Sequence, residues 1–286
     1  MKTTLLPTRK SEYEISLYKE FGKKFGTILQ TLKEIVELGN YNDLETEYKD
    51  LTWETLAKDL GSKRISSFSF PFTQQENQQG EKFNHRLCVS PNEIVAHGIP
   101  VQNHNNLSIG DVVSIDCGLK ITIGTTILHF DSAFTTLFGA TPKKDHWLHQ
   151  SRLALKDLLG KTDLKVTNTM DIAISIKNRA RKKKLLQVVA LTGHGIGRKL
   201  HEAPQIHNAP APFKPVYLFD GIVFCAEPIY VKPKELSSSF ISSVAIDNNN
   251  WSVFTTKGEQ SSHFETMFVM INGQLIDLVG ISQWGS

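Results

Sequence analysis

Residues 110–139, GDVVSIDCGLKITIGTTILHFDSAFTTLFG, hold two apolar, β-branched runs separated by Gly124. Such side chains suit strands, and a glycine between two runs marks a turn. The midpoint between Asp116 and Asp131 falls at Ile123–Gly124. A fold-back there would set the two aspartates opposite each other, with Cβ atoms about 5 Å apart. Two carboxylates that close in an apolar setting repel, and each is costly to bury alone. A cation between them removes the conflict. On this pair alone the other reading, in which each aspartate caps a turn, stays open.

Strand character extends outward over Leu87 to Phe138. Upstream, Ile15, Tyr18, Phe21, Phe25, Ile28, Leu32 and Ile35 recur at helical steps, which predicts a helix over Ser11–Leu38 with a stop at Gly39–Asn40. A weaker helix is expected over Asp43–Leu60. Residues 1–12 read as a flexible tail, and Thr73–Asn84 (TQQENQQGEKFN) as a polar surface loop. Downstream, Lys143–Leu159 and Thr169–Lys184 are periodic, and Gly160 breaks the pattern between them. Strands are then expected at Val188–Leu191, Gly221–Val231, Phe240–Ala245 and Ser261–Ile271. This order of helices, strands, helices, strands predicts one α+β domain over residues 1–286. It would have two similar halves, each a helix pair on a largely antiparallel sheet.

Glu227 and Glu265 each interrupt an apolar run, in GIVFCAEPIYV and SSHFETMFVMI. A lone glutamate is almost never buried unless paired. An edge strand excuses one of them; four carboxylates at the expected centres of strands point instead to a binuclear metal site. His194, in LTGHGIGRKLHEAP, lies between glycines that permit close backbone approach. Its surroundings lack the Lys-Ser/Thr of a phosphate loop. Taken singly it reads as structural, and beside four carboxylates as the completing ligand. One imidazole with hard oxygen donors suits manganese, iron(II) or cobalt and excludes a thiolate-selected site.

Cys88, Cys117 and Cys225 are odd in number and widely spaced, so free buried thiols are expected rather than disulfides. No run reaches the length of a membrane span, and the start lacks the features of a secretory signal. The cytoplasm is the expected compartment. A formal charge of +3 is too small to argue for nucleic acid.

The segments NEIVAHGIP, IGDVVSIDCG, DSAFTTLFG, GHGIGRKLHEAP, FCAEPIY and HFETMFVM stand in the order found in type I methionine aminopeptidases. The chain resembles that family over roughly residues 14–278. The resemblance implies the pita-bread fold, with helix pairs on a curved, largely antiparallel sheet. It implies removal of N-terminal methionine from nascent chains, with preference for a small second residue. Asp116, Asp131, His194, Glu227 and Glu265 would hold two divalent ions, Asp131 and Glu265 bridging them. By the same resemblance His97 contacts substrate near the scissile amide, and His201 hydrogen-bonds the scissile carbonyl and its oxyanion. Glu227 would also shuttle a proton, and Cys88 and Trp251 would shape the methionine pocket. A monomer making transient ribosome contact is expected.

Several features depart from the family pattern. The Asp116–Asp131 connection is longer, so its tip should protrude, and residues 73–84 look like an insertion. Thr266 stands where histidine is common, and Ala96 where cysteine is common. The nearest rival is an Xaa-Pro aminopeptidase or prolidase with the same ligand types. AHGIP and GHGIGRKLHEAP look like the methionine branch. A non-catalytic relative, binding ribosomal RNA through Arg179–Lys184, is the other rival. Cations at a predicted helix end also suit the macrodipole and solvent, and a retired enzyme would be expected to have lost ligands.

Overall fold

Ser11 starts the first helix through a capping box. Its hydroxyl accepts from Glu14 N, and the Glu14 carboxylate accepts from Ser11 N. The helix, α1 (Glu12–Leu38), ends on left-handed Gly39 and buries Tyr18, Phe21, Phe25, Leu29 and Leu32. The computed structural model describes residues 6–39, 43–62, 64–100, 107–160, 166–235 and 239–284, so Asn40 and residues 1–5 lie outside the described residues. Asp43 caps α2 (Leu44–Gly61), and Asn168 caps α4 (Thr169–Lys183) with a second capping box. Between them, α3 (Trp147–Asp157) starts four residues later than the expected Lys143.

The quoted hairpin forms β4 (Val112–Ile123) and β5 (Thr126–Leu137), turning at Gly124–Thr125. Its register pairs Asp116 with Ala133 and Asp131 with Gly118. The aspartates are therefore diagonal neighbours on one face, not directly opposite as expected, because the turn lies one residue beyond the midpoint. β1 (Ser67–Ser69) and β2 (Leu87–Pro91) flank β4 and complete the first sheet. On its buried side, α1 meets β5 through Tyr18 and Phe25, whose rings lie 5.3 and 6.1 Å from Phe130. The Tyr48 hydroxyl of α2 donates to Gly118 O on β4 at 2.9 Å.

In the second half, β7 (Thr192–Gly195), β8 (Glu202–His207), β9 (Val223–Ala226), β14 (Thr266–Ile271) and β15 (Gln274–Asp277) form one antiparallel sheet. Two small sheets join it. One holds β6 (Leu186–Gln187), β10 (Ile229–Val231) and β13 (Ser261–His263); the other holds β3 (Ile94–Ala96), β11 (Val244–Ile246) and β12 (Val253–Thr255).

Three expected strands are corrected by this arrangement. Val188–Leu191 is the crossing between β6 and β7, which belong to different sheets. Gly221–Val231 divides into β9 and β10, and Ser261–Ile271 into β13 and β14. Each break is a change of sheet, and each falls on a glutamate: Glu227–Pro228 in one, Phe264–Glu265 in the other. Pro228 has no N–H to continue a ladder. Glu227 and Glu265 therefore sit at strand switches, not at strand centres. Of Phe240–Ala245, only the end is strand, in β11. Among the described residues no helix is long and apolar enough to cross a membrane.

The chain ahead of α1 is not free throughout, as a flexible tail would be. Lys10 N donates to Gly221 O at 2.8 Å, and Lys10 Nζ reaches Glu202 Oε2 at 2.8 Å. Thr8 Oγ1 donates to the same oxygen, and Lys199 N to Glu202 Oε1. Glu202 follows His201, so this strap fastens the loop that carries that histidine. Burial works to raise the Glu202 pKa, but these donors outweigh it and hold the carboxyl below its ordinary value. A depressed carboxyl contributes stability above its unfolded pKa, and that contribution is lost as pH falls through the folded value. Lys10→Met should therefore lower stability by about 1–3 kcal/mol at pH 7. Urea melts at pH 7 and pH 3.5 check this: the gap from wild type should shrink at the acidic pH, and a gap that widens there contradicts the assignment.

Candidate metal centre

Two close approaches of backbone set up the site. At Gly193 and Gly195, which flank His194 on β7, a Cβ would lie 2.3 Å from Cys225 O and 2.0 Å from Ala203 O. Only glycine lets β7 lie this near its neighbours, and it turns His194 inward between them. Gly98 is equally confined, since a Cβ there would meet Val89 O at 2.0 Å. Gly98 O accepts from Val89 N, and Gly98 N donates to Ser90 Oγ. These bonds hold His97 at φ +56°, a left-handed conformation costly for a non-glycine residue.

Cys88, His97, Asp116, Asp131, His194, His201, Glu227, Trp251 and Glu265, all singled out from sequence, line one cavity of about 260 Å³. Asp116, Asp131 and Glu265 are 9, 4 and 3% exposed, and each offers an oxygen within 4.8 Å of the others. Glu265 comes within reach because its backbone pairs with Ala133, the register partner of Asp116. Asp116 Oδ1, Asp131 Oδ1 and Glu265 Oε1 are buried with no hydrogen-bond donor. Burial, followed by the neighbouring carboxylates, pushes the pKa of Asp116 and of Glu265 well up. Burial also raises Asp131, partly offset by His194.

His194 Nδ1 lies 2.9 Å from Gly195 O, a contact that places its proton there. Its Nε2 faces Asp131 Oδ2 at 3.6 Å and Glu265 Oε1 at 3.9 Å; burial works to lower the ring's pKa, but Asp131 outweighs it and raises it. That nitrogen and the two carboxylates need a shared cation between them, a proton or a metal ion. Three donor-poor carboxylates and an imidazole in its ligating tautomer are what a divalent cation requires.

His263 was not singled out from sequence, yet it lines the same cavity. Its Nε2 lies 3.4 Å from Glu227 Oε2. Burial works to raise the Glu227 pKa, but the contact with His263 outweighs it and holds the carboxyl down. The signal was available, because His263 stands two residues before Glu265 and extended chain returns to one face every second residue. His201 packs edge-on to His194, ring centroids 4.3 Å apart, and close packing followed by His194 lowers its pKa. Packing around His97 lowers its pKa too. Both side chains nonetheless keep exposed area, His97 and His201 alike, so each can reach a guest in the cavity.

Residues 73–84 are mostly exposed, as a polar surface loop would be, and the segment also contributes to the apolar wall. Asn77 Oδ1 accepts from Gln79 N and Glu81 N, folding the segment into a tight turn closed by a Glu76–Lys82 bridge. Phe83 is buried against Trp251, ring centroids 5.0 Å apart, and Asn250 Nδ2 donates to Glu81 Oε2. Phe72, Gln75, Glu76 and Phe83 all line the cavity. Cys88 pairs in register with Asp116, and burial pushes its thiol pKa well up, so it serves as an apolar wall.

Comparison with known proteins places these features among metal-dependent peptidases. Residues 51–270 match the model of metallopeptidase family M24. A methionine aminopeptidase of Clostridium perfringens is 30% identical over 268 residues, covering 92% of this chain and 95% of that protein. The crystal structure of a methionine aminopeptidase from Thermotoga maritima superposes with a TM-score of 0.74 at 24% identity, over 96% of this chain and 99% of that one. A prolidase from Pyrococcus furiosus shares the fold at a TM-score of 0.61 and 14% identity; 95% of this chain covers 65% of it.

Asp131→Asn removes a central negative charge without changing shape. Loss of a mere supporting contact costs a metal site 10–100-fold, so manganese affinity should fall by about 100-fold or more. His97→Ala should leave manganese affinity within about threefold of wild type and lower kcat. Calorimetric titration with manganese separates the two, and the reverse pattern would exchange their roles.

Proposed function

The chain belongs to metallopeptidase family M24, among its methionine aminopeptidases, and from that premise we propose how it removes the N-terminal methionine of peptides and nascent chains. The observation that carries the reading is the buried trio Asp116, Asp131 and Glu265, each with one oxygen lacking a donor, and with His194 Nε2 turned toward it. We assign these four residues and Glu227 as ligands of two divalent ions, with manganese, iron(II) or cobalt suited to the hard oxygen donors and single imidazole. When bound, such ions supply Lewis acidity and a nucleophilic water at neutral pH.

The chain's own residues bind and orient. Phe72, Phe83, Cys88 and Trp251 form an apolar wall in a cavity of about 260 Å³, a space suited to one unbranched thioether side chain. His97, fixed at its unusual φ, offers its N–H to the scissile amide. His201 offers its own to the carbonyl oxygen, where negative charge develops. Glu227, kept ionised beside His263, accepts a proton and passes it to the leaving amine. The second substrate residue then lies against His97 and the ligand-bearing strands, which favours a small side chain.

A cytoplasmic setting is supported by three buried free cysteines. Arg179, first of the basic run, is already held by Asp157 at 2.5 and 2.7 Å, so ribosome contact would rest on the lysines beyond it. The prolidase reading has only shared fold in its favour.

Two outcomes test the proposal. A strong chelator should abolish cleavage of Met-Ala-Ser, and manganese, cobalt or iron(II) should restore it; full activity in protein shown metal-free by elemental analysis contradicts it. Across a peptide panel, Met-Ala-Ser and Met-Gly should be cleaved well. Displacing the amide by about 1 Å costs on the order of 100-fold, so kcat/KM for Met-Leu should fall by about that factor. Preference for Lys-Pro over Met-Ala-Ser would move the protein to the prolidase reading.

A further inference from the structure

Arg152, on α3, is 6% exposed, and among the described residues its charge has no paired carboxylate. Its Nη1 donates to Ser282 O at 2.6 Å. Among the described residues no carboxylate oxygen lies within the 4.0 Å of an ion pair. One neutral carbonyl engages one of the five guanidinium donors, a use that does not require a charge. A buried cation left uncompensated is strongly unfavourable, and burial alone pulls its pKa down.

Arg152 lines a second cavity, of about 400 Å³, between α1, α3 and the 281–284 turn. Phe264, Trp284, Leu148 and Pro142 give it apolar and aromatic walls. The other cation there, Lys33, is already matched by Glu37 at 2.6 Å. Glu34 also lines the cavity but is exposed to solvent, which screens its repulsion of an anionic guest; the repulsion is larger for a doubly charged one. Phe264 and Thr135 separate this cavity from the catalytic one: Phe264 lies between His263 and Glu265, and Thr135 Oγ1 donates to His263 O.

We propose that this cavity is a binding site for a small organic monocarboxylate, its carboxylate held by the planar fork of Arg152 and its apolar body seated between Phe264 and Trp284. The fork matches a carboxylate in geometry as well as charge. The guest supplies the missing counter-charge, and the aromatic walls bury its remainder. The site is independent of the peptidase assignment, since it shares no metal-ligating side chain.

The test titrates benzoate by calorimetry into metal-loaded protein, using wild type, Arg152→Met, Thr141→Trp and His201→Ala. Thr141→Trp fills the cavity from its wall without altering the guanidinium, and so keeps the test decisive if Arg152→Met folds poorly. Wild type should bind about one equivalent with a dissociation constant in the millimolar range or tighter. Binding should weaken at least about tenfold in Arg152→Met and vanish in Thr141→Trp. His201→Ala, altered in the catalytic cavity, should bind as wild type does. Absence of saturable binding in wild type overturns the proposal. Wild-type affinity in a folded Arg152→Met or Thr141→Trp variant, or loss of binding in His201→Ala alone, overturns it equally.

Discussion

Repulsion among Asp116, Asp131 and Glu265 is the constraint on which the rest of the structure turns. Three carboxylates within 4.8 Å, nearly buried and short of donors, would drive the sheets apart or take up protons. Divalent charge is the remedy that also gives the arrangement a use. His194 agrees, because its Nδ1 is committed to backbone and its Nε2 faces the carboxylates.

The fold delivers these groups to one point by unusual means. Two strands leave one sheet for another at Glu227 and Glu265, and each carboxylate projects where regular pairing stops. The hairpin of β4 and β5 brings the two aspartates in diagonally, on one face. Gly193 and Gly195 let β7 press between β8 and β9. On the opposite wall, the 73–84 turn leans on Trp251 and closes the cavity with Phe83. The same chain order thus supplies buried carboxylates from strand switches and an apolar wall from a turn.

What the sequence makes legible follows from the range of each interaction. The helices show because their periodicity and caps are local: Ser11 with Glu14, and Asn168 with Asp171. The ligand types show because acids inside apolar runs are conspicuous. The diagonal offset of Asp116 and Asp131 does not, because a turn displaced by one residue shifts the register by two. The breaks at Glu227 and Glu265 are hidden for a similar reason: an apolar run reads as one strand even where it changes sheets. The Lys10–Glu202 strap joins residues 192 apart, and nothing local announces it. His263 was readable from alternation with Glu265, and was obscured because a histidine in an apolar stretch so often satisfies only its neighbours.

The central claim is that the carboxylate cluster is built for cations rather than merely tolerant of them. Thermal unfolding of metal-stripped protein at pH 7, followed as manganese is added, tests it most directly. Occupancy at a hundred times the dissociation constant contributes about 2.7 kcal/mol, and each kcal/mol moves a chain of this size by roughly 2–4 °C. The melting temperature should therefore climb by about 5 °C or more and then level off as the site fills. A melting temperature that stays unchanged up to millimolar manganese would contradict the account.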